Sequence, residues 1–206
     1  MAFELLQRFA DSLLYRPTYF RMVEATSRRS AQAMAESIFS LCEPSRLIDY
    51  GCGTGSFIAA LRELGTDAVG TEFSGAARRY CRAKQLRVVP IDFRKPQRLL
   101  PLGFADVATS FEVGEHIAER YAANLIGLIA RTAPLVVFSA ATPGQGGHGH
   151  VNEQPHGYWE ELFSREGFVQ DYQATQSLRK NWVKAGVETW YSANVMVLRS
   201  SHQVVP

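Results

Sequence analysis

The hydrophobic pattern changes character partway along the chain. Up to Cys42, apolar residues recur at three- and four-residue steps, the period of an amphipathic helix. Phe3, Leu6, Phe9, Leu13 and Leu14 form one stripe, and Ala31, Met34, Ala35, Ile38 and Leu41 form another. Pro17 separates the two stripes and Pro44 ends the helical region. From Arg46 onward, short apolar runs alternate with helical stretches. Arg46–Tyr50, Ala68–Glu72, Leu86–Ile91, Val107–Phe111 and Leu135–Ser139 read as strands. Phe57–Leu64 and Ala76–Lys84 read as helices between them, and a further helix follows the fourth strand through Arg131. This alternation predicts a parallel sheet with helices on both faces.

The C-terminal part reads differently. A Gly/Pro/His-rich loop precedes a helix over Tyr158–Arg165. Phe168–Ala174 and Thr189–Leu198 then read as two strands with no helix assigned between them, an antiparallel hairpin at one sheet edge. On that reading Trp190 and Tyr191 point to opposite faces of a strand. No internal repeat or low-complexity linker divides the chain. It reads as a single domain over 1–206, with N-terminal helices over 1–43 and a core over 44–200.

Composition adds limits. The 206 residues are 46% hydrophobic and 20% charged, the profile of a folded domain and not of a disordered chain. The 22 basic and 20 acidic residues leave a net charge of +2, which neither demands nor excludes a nucleic-acid partner. Cys42, Cys52 and Cys81 are odd in number and lack a CxxC spacing, so neither a disulfide frame nor a zinc ribbon follows. A reducing cytoplasm is the expected compartment. Glu4 and Asp11 interrupt any apolar signal core, and no run approaches the roughly 18 apolar residues of a membrane span.

The most informative motif is Leu47-Ile48-Asp49-Tyr50-Gly51-Cys52-Gly53-Thr54-Gly55. A buried strand runs into a glycine-rich turn that opens a helix. Such a turn lets main chain approach a ligand, and the helix N-terminus offers free N–H donors. The dinucleotide fingerprint G-x-G-x-x-G does not fit, because its third glycine would fall on Ser56.

The sequence D-Y-G-C-G-T-G after a strand resembles motif I of the class I S-adenosylmethionine-dependent methyltransferases. Three more features stand in that family's order: Glu72 ending the second strand, Asp92-Phe93 following the third, and Phe111-Glu112 ending the fourth. The resemblance covers roughly residues 44–198. It implies an α/β, Rossmann-like, doubly wound, mostly parallel seven-stranded sheet with an antiparallel C-terminal hairpin and an N-terminal helical lid. It implies S-adenosylmethionine as cofactor, in a site made of Asp49, Gly51, Cys52, Gly53, Gly55, Glu72, Phe73, Asp92, Phe93 and Phe111. Glu72 would take the ribose hydroxyls, as a carboxylate can accept from both. Asp92 would accept from the adenine amine and Phe93 would flank the ring. Cys52 reads as a small filler between glycines.

A second cluster is Phe111-Glu112-Val113-Gly114-Glu115-His116-Ile117. If it turns helically, Glu112, Glu115 and His116 share one face, and two crowded carboxylates call for a cation, a proton or an arginine. The loop after the fifth strand, Thr142 to Gln154, carries His148 and His150 among four glycines. Loops at the carboxyl ends of adjacent strands meet in open α/β sheets. The E-x-x-E-H pattern with a later histidine resembles two metal-dependent branches: the small-RNA 3′-terminal 2′-O-methyltransferases and the ubiquinone-biosynthesis O-methyltransferases. The resemblance implies a divalent ion, magnesium or manganese, on Glu112, Glu115, His116 and His150, with His148 the other choice for the last ligand. Glu115, His116 and His150 are then the catalytic candidates. Without a metal, the same acids contact substrate or cofactor, and a histidine acts as base or packs in the loop.

The expected function is O-methylation of a small-molecule or saccharide hydroxyl. RNA 2′-O-methylation at the same site is the enzymatic alternative, and a non-catalytic cofactor-binding partner protein is the alternative of another class. Arg78, Arg79, Arg82, Lys84, Arg87, Arg94, Lys95 and Arg98 form a basic cluster that could track phosphates. Tyr15, Arg16, Tyr19, Phe20 and Arg21 on the expected lid, with Tyr158, Trp159, Trp182, Trp190 and Tyr191, are candidate pocket walls.

Overall fold

The structure, a computed structural model, describes residues 17–95 and 102–201. The Phe3–Leu14 stripe, Tyr15, Arg16 and Arg98 lie outside the described residues. The first helix, α1, spans Pro17–Cys42. Then follow β1 (Arg46–Tyr50), α2 (Ser56–Glu63), β2 (Asp67–Glu72), α3 (Gly75–Ala83), β3 (Val88–Pro90) and β4 (Val107–Phe111). After two 3-10 turns come α4 (Ala122–Ala130), β5 (Leu135–Ser139), α5 (His156–Arg165), β6 (Phe168–Gln170), α6 (Tyr172–Lys184), α7 (Thr189–Asn194) and β7 (Met196–Ser200).

The seven strands lie in the order β3-β2-β1-β4-β5-β7-β6. The first five pair in parallel, and β7 pairs antiparallel with both β5 and β6. Strand side chains alternate between two cores, as the two-residue period requires. Ile48, Tyr50, Ala108, Val136, Phe138, Met196 and Leu198 meet α4 and α5 through Leu125, Ile129, Trp159 and Phe163. Leu47, Val107, Leu135, Val137 and Val197 face the opposite way, onto Ile38 of α1, Ile58 and Leu61 of α2, and Leu178 and Trp182 of α6. The expected stripe of α1 is the buried one: Ala31, Met34, Ala35 and Ile38 are all inside. Among the described residues no helix is long and apolar enough to cross a membrane.

The structure departs from the sequence reading in three places. The third strand is only Val88–Pro90. The helix expected straight after β4 is broken into 3-10 turns at Gly114–His116 and Glu119–Tyr121 before α4 begins. Glu112 takes a left-handed φ of 52°, and Ile117 and Ala118 have extended ψ, so the backbone cannot wind continuously there. In the C-terminal part the antiparallel pair β6/β7 forms, but α6 and α7 lie between its strands. Asp171 starts α6 by accepting the Ala174 N–H at 2.9 Å, a side-chain cap. Trp190 and Tyr191 therefore sit on a helix, not a strand.

Trp182 is completely buried where α6 meets the sheet, edge-on to Phe111 at 5.8 Å. Trp182→Ala removes about 3–5 kcal/mol of stability on the usual cost of emptying an aromatic site. Denaturant unfolding of the two proteins measures it.

Candidate functional site

The strand order reverses between β1 and β4, so the chain leaves these two neighbours in opposite directions and opens a crevice at their carboxyl ends. The β1 loop forms one wall. Gly51, Gly53 and Gly55 have φ of 81°, 54° and 80°, which side chains disfavour. The Gly51 and Cys52 N–H groups both donate to the Thr71 carbonyl at 2.9 Å, folding the loop over β2. Space is as restrictive as torsion: a Cβ on Gly51 would lie 2.5 Å from Val113, and one on Gly55 would lie 2.6 Å from Leu86.

Two buried carboxylates support this loop. Asp49 accepts the Thr109 hydroxyl at 2.7 Å across the β1–β4 pair. Glu72 accepts the Gly53 N–H at 3.0 Å and also the Ser74 N–H. Burial pushes both carboxyls up to about 7, against the hydrogen bonds that favour their charged forms. Arg78 donates to the Glu72 carbonyl at 2.7 Å and so steadies the end of β2. Cys52 packs its sulfur against Gly70, and Cys81 donates its thiol to the Gly53 carbonyl at 3.3 Å.

The aromatic candidates separate. Phe93 is buried in the α4/α5 core, with its ring 6.5 Å from that of Tyr50. Phe73 instead presents a partly exposed ring at the end of β2. Asp92 is held by Arg94 in an ion pair of 2.8 Å. Burial there acts to raise its carboxyl, but the Arg94 contacts outweigh it and hold the group below the usual range. Phe111 turns onto the other face, against Phe57, Trp182 and Tyr191.

Across the crevice the β4 and β5 loops meet, as the sheet topology requires. Val151 and Asn152 both donate their N–H to the Glu115 carbonyl, at 2.8 and 3.0 Å. One ligand atom each from Glu115, His116 and His150 comes within 4.8 Å of the others. The Glu115 carboxylate is wholly buried, and among the described residues neither oxygen makes a well-formed hydrogen bond, although the Ala141 backbone and the Glu112 carboxyl approach it. Burial, with the neighbouring Glu112 charge, pushes its pKa well up. Glu153 engages His150 Nδ1 at 2.8 Å, and the Gly149 carbonyl engages His116 Nδ1 at 3.3 Å. When each Nδ1 carries the hydrogen, Nε2 holds the lone pair of the ring. Burial lowers His116 to about 4, so it stays neutral near pH 7. A side chain on Gly147 would overlap the His150 ring, which explains the bare backbone there.

Glu112 stands beside this triad and does not join its three converging atoms. The shared helical face expected for Glu112, Glu115 and His116 does not form, because Glu112 is left-handed and only Glu115 and His116 belong to the following turn. Glu112 instead accepts Gln145 Nε2 at 2.9 Å and Asn194 Nδ2 at 3.3 Å. Asn194 also donates to Gln145 Oε1 at 2.8 Å. Sequence reasoning passed over Asn194 because its segment read as a strand. His148 lies apart from the triad, its ring 5.0 Å from that of Tyr19 on α1. Tyr19 is within electrostatic reach of both Glu115 and Glu72, and burial followed by these charges raises its hydroxyl pKa.

This geometry has counterparts among known proteins. A family model described as a methyltransferase domain matches residues 20–191. The fold is that of the class I S-adenosylmethionine-dependent methyltransferases, and the chain belongs to the methyltransferase domain family. It is a methyltransferase. No curated protein matches the sequence. Among solved structures, a TehB-like SAM-dependent methyltransferase from Corynebacterium glutamicum is 17% identical, with 90% of this chain and 100% of that one covered at a TM-score of 0.63. A sugar N-methyltransferase from Streptoalloteichus is 15% identical, covering 84% and 88% at 0.63. The magnesium protoporphyrin IX methyltransferase of Synechocystis, solved with bound S-adenosylhomocysteine, is 15% identical, covering 87% of each at 0.59.

The raised Asp49 carboxyl has a consequence for the ligand-free protein. The unfolded chain releases this proton near pH 4, and the folded protein keeps it to about pH 7. Folding then loses stability as pH rises through that window and levels off above it. Asp49→Asn removes the titration. Its melting temperature relative to the parent should climb from pH 4 to 7 and stay flat from 7 to 9; a pH-independent difference contradicts the assignment.

Proposed function

We propose that this methyltransferase uses S-adenosylmethionine to methylate a hydroxyl of a small molecule or saccharide, with a divalent cation held by Glu115, His116 and His150. The observation that carries the metal reading is the Glu115 carboxylate. Among the described residues it makes no well-formed hydrogen bond in its buried position, and it lies opposite two histidines whose Nδ1 atoms are already engaged. An isolated buried charge is costly, and a cation is a direct compensation. Three ligands of an octahedral magnesium or manganese ion include at least two adjacent pairs about 3.0 Å apart, so the three atoms, which lie within 4.8 Å of one another, draw together by up to about 2 Å when an ion binds. Glu153 behind His150 is the outer carboxylate that orients a histidine ligand.

The residues divide the work as follows. Gly51, Gly53 and Gly55 bring backbone against the cofactor, and Glu72 accepts its ribose hydroxyls. Asp92 and Phe73 receive adenine, through an acceptor and a ring face. When bound, the cofactor supplies an electrophilic sulfonium methyl, and the cation supplies a Lewis acid that lowers the pKa of an acceptor hydroxyl. Glu115, His116 and His150 fix where that oxygen sits, so methyl transfer depends mainly on alignment. Glu112, Gln145 and Asn194 line the way in with both donors and acceptors. Tyr19 and His148 stack over the crevice and exclude water. A sugar-sized acceptor is supported by this polar lining and by the likeness in fold to a sugar N-methyltransferase. RNA is less favoured, because Arg78, Lys84 and Arg94 of the basic cluster are engaged within the protein.

Calorimetric titration of S-adenosylhomocysteine in EDTA, followed by manganese, tests both halves. Cofactor binding is expected without metal. A separate manganese heat is expected in the parent and should be lost in Glu115→Gln and His150→Ala, with cofactor affinity changed by less than about twofold. Equal manganese binding by all three proteins overturns the metal assignment.

A further inference from the structure

Arg94 lies across the residues assigned above to adenine. Its guanidinium carbon stands 4.8 Å from the centroid of the Phe73 ring. Its Nε donates to Asp92 Oδ1 at 2.8 Å and its Nη2 to Asp92 Oδ2 at 3.1 Å, a two-point fork on the carboxylate. The Arg94 backbone N–H adds a third bond to Oδ1 at 3.1 Å. Phe73 follows β2 and Asp92 follows β3, which pair in parallel up to Glu72 and Pro90. The two strand ends thus make a clamp of one aromatic face and one carboxylate.

The clamp holds a flat, delocalised group with N–H donors. Adenine is the same kind of object, a planar π-system with an exocyclic amine. Stacked partners lie about 4.5–7 Å apart by centroid, so Phe73 and the guanidinium are in direct contact with no layer between them. Adenine and the Arg94 head group cannot both lie on this face of Phe73.

We propose that Arg94 is a built-in competitor for the adenine subsite, and that the cofactor enters only as its guanidinium swings out. The proposal rests on the cofactor reading above. Arg94 then acts as a filter as well. Adenine can replace two of its contacts, the stack on Phe73 and the donation to Asp92. A purine without the exocyclic amine cannot make the donation to Asp92 and binds more weakly.

The test is calorimetric binding of adenosine, S-adenosylhomocysteine and S-adenosylmethionine to the parent, Arg94→Ala and Arg94→Gln. The cation–π contact and the half-buried ion pair are each modest, so their removal should tighten binding by about three- to tenfold. The factor should be the same for all three ligands, since each needs the same displacement, and inosine should bind more weakly than adenosine to the parent. Weaker or unchanged binding in Arg94→Ala overturns the proposal, as Arg94 would then hold the cofactor or ignore it. A gain confined to S-adenosylmethionine also overturns it, because relief of repulsion with the sulfonium would explain that result. Absence of binding to parent and variants alike removes the cofactor reading itself, a result distinct from any change between them.

Discussion

Between β1 and β4 the chain runs in parallel, and Asp49 faces Thr109 across the pair with a 2.7 Å hydrogen bond. Everything at the crevice hangs from this pairing. The connection after β1 returns toward β2 and β3, while β4 leads to β5 on the other side. Two loops therefore rise at one spot with nothing between their bases. The Gly51 Cα nearly touches the Val113 side chain, so the loops are braced against each other below the open part of the crevice. A side chain at position 51 would force apart the two elements that together make the site.

The second joint is a single carbonyl. Glu115 uses its backbone oxygen to accept two N–H groups from Val151 and Asn152, and this brings the His150 loop to the β4 loop. The same residue turns its carboxylate inward, where among the described residues it makes no well-formed hydrogen bond. One residue thus joins the loops through its backbone and faces the candidate metal position through its side chain. Replacing the side chain leaves the backbone joint in place. Glu115→Gln therefore separates the chemistry of the site from the architecture of the loop.

Much of this was legible in the sequence. β1, β4 and β5 follow apolar runs that stop at turn residues, and their bounds agree with the pattern because both faces of these strands are buried. The glycine loop was legible for the same reason: its torsions admit little else. The C-terminal third was not. α6 buries only Thr175, Leu178 and Trp182, a thin stripe with a polar member, so its period is faint. α7 carries Thr189, Trp190 and Tyr191, which favour strands, and tertiary contacts override that preference: Tyr191 packs on Phe111 while Asn194 is buried beside Glu112. At the site, the spacing of Glu115 and His116 was readable, but the left-handed Glu112 was not. Its strain is local to the backbone and leaves no mark in composition or period. Arg94 was read only as one charge in a basic cluster, because stacking on Phe73 and pairing with Asp92 are properties of folded neighbours.

The same crevice gathers Asp49, Glu72, Glu112 and Glu115, each with its carboxyl pKa raised by burial. Such groups cost folding free energy and cluster where a ligand repays them. On the proposed reading the sulfonium cofactor and a divalent ion both bring positive charge to them. The demethylated product has lost the sulfonium charge, so these carboxylates stabilise it less than the cofactor it came from. On that reading a crevice that gathers four carboxyls favours the methyl donor over the product. Arg94 would act in the opposite sense, at a point that both molecules share. It would weaken the hold on adenine equally before and after transfer, leaving discrimination to the carboxylates and ease of exchange to the arginine.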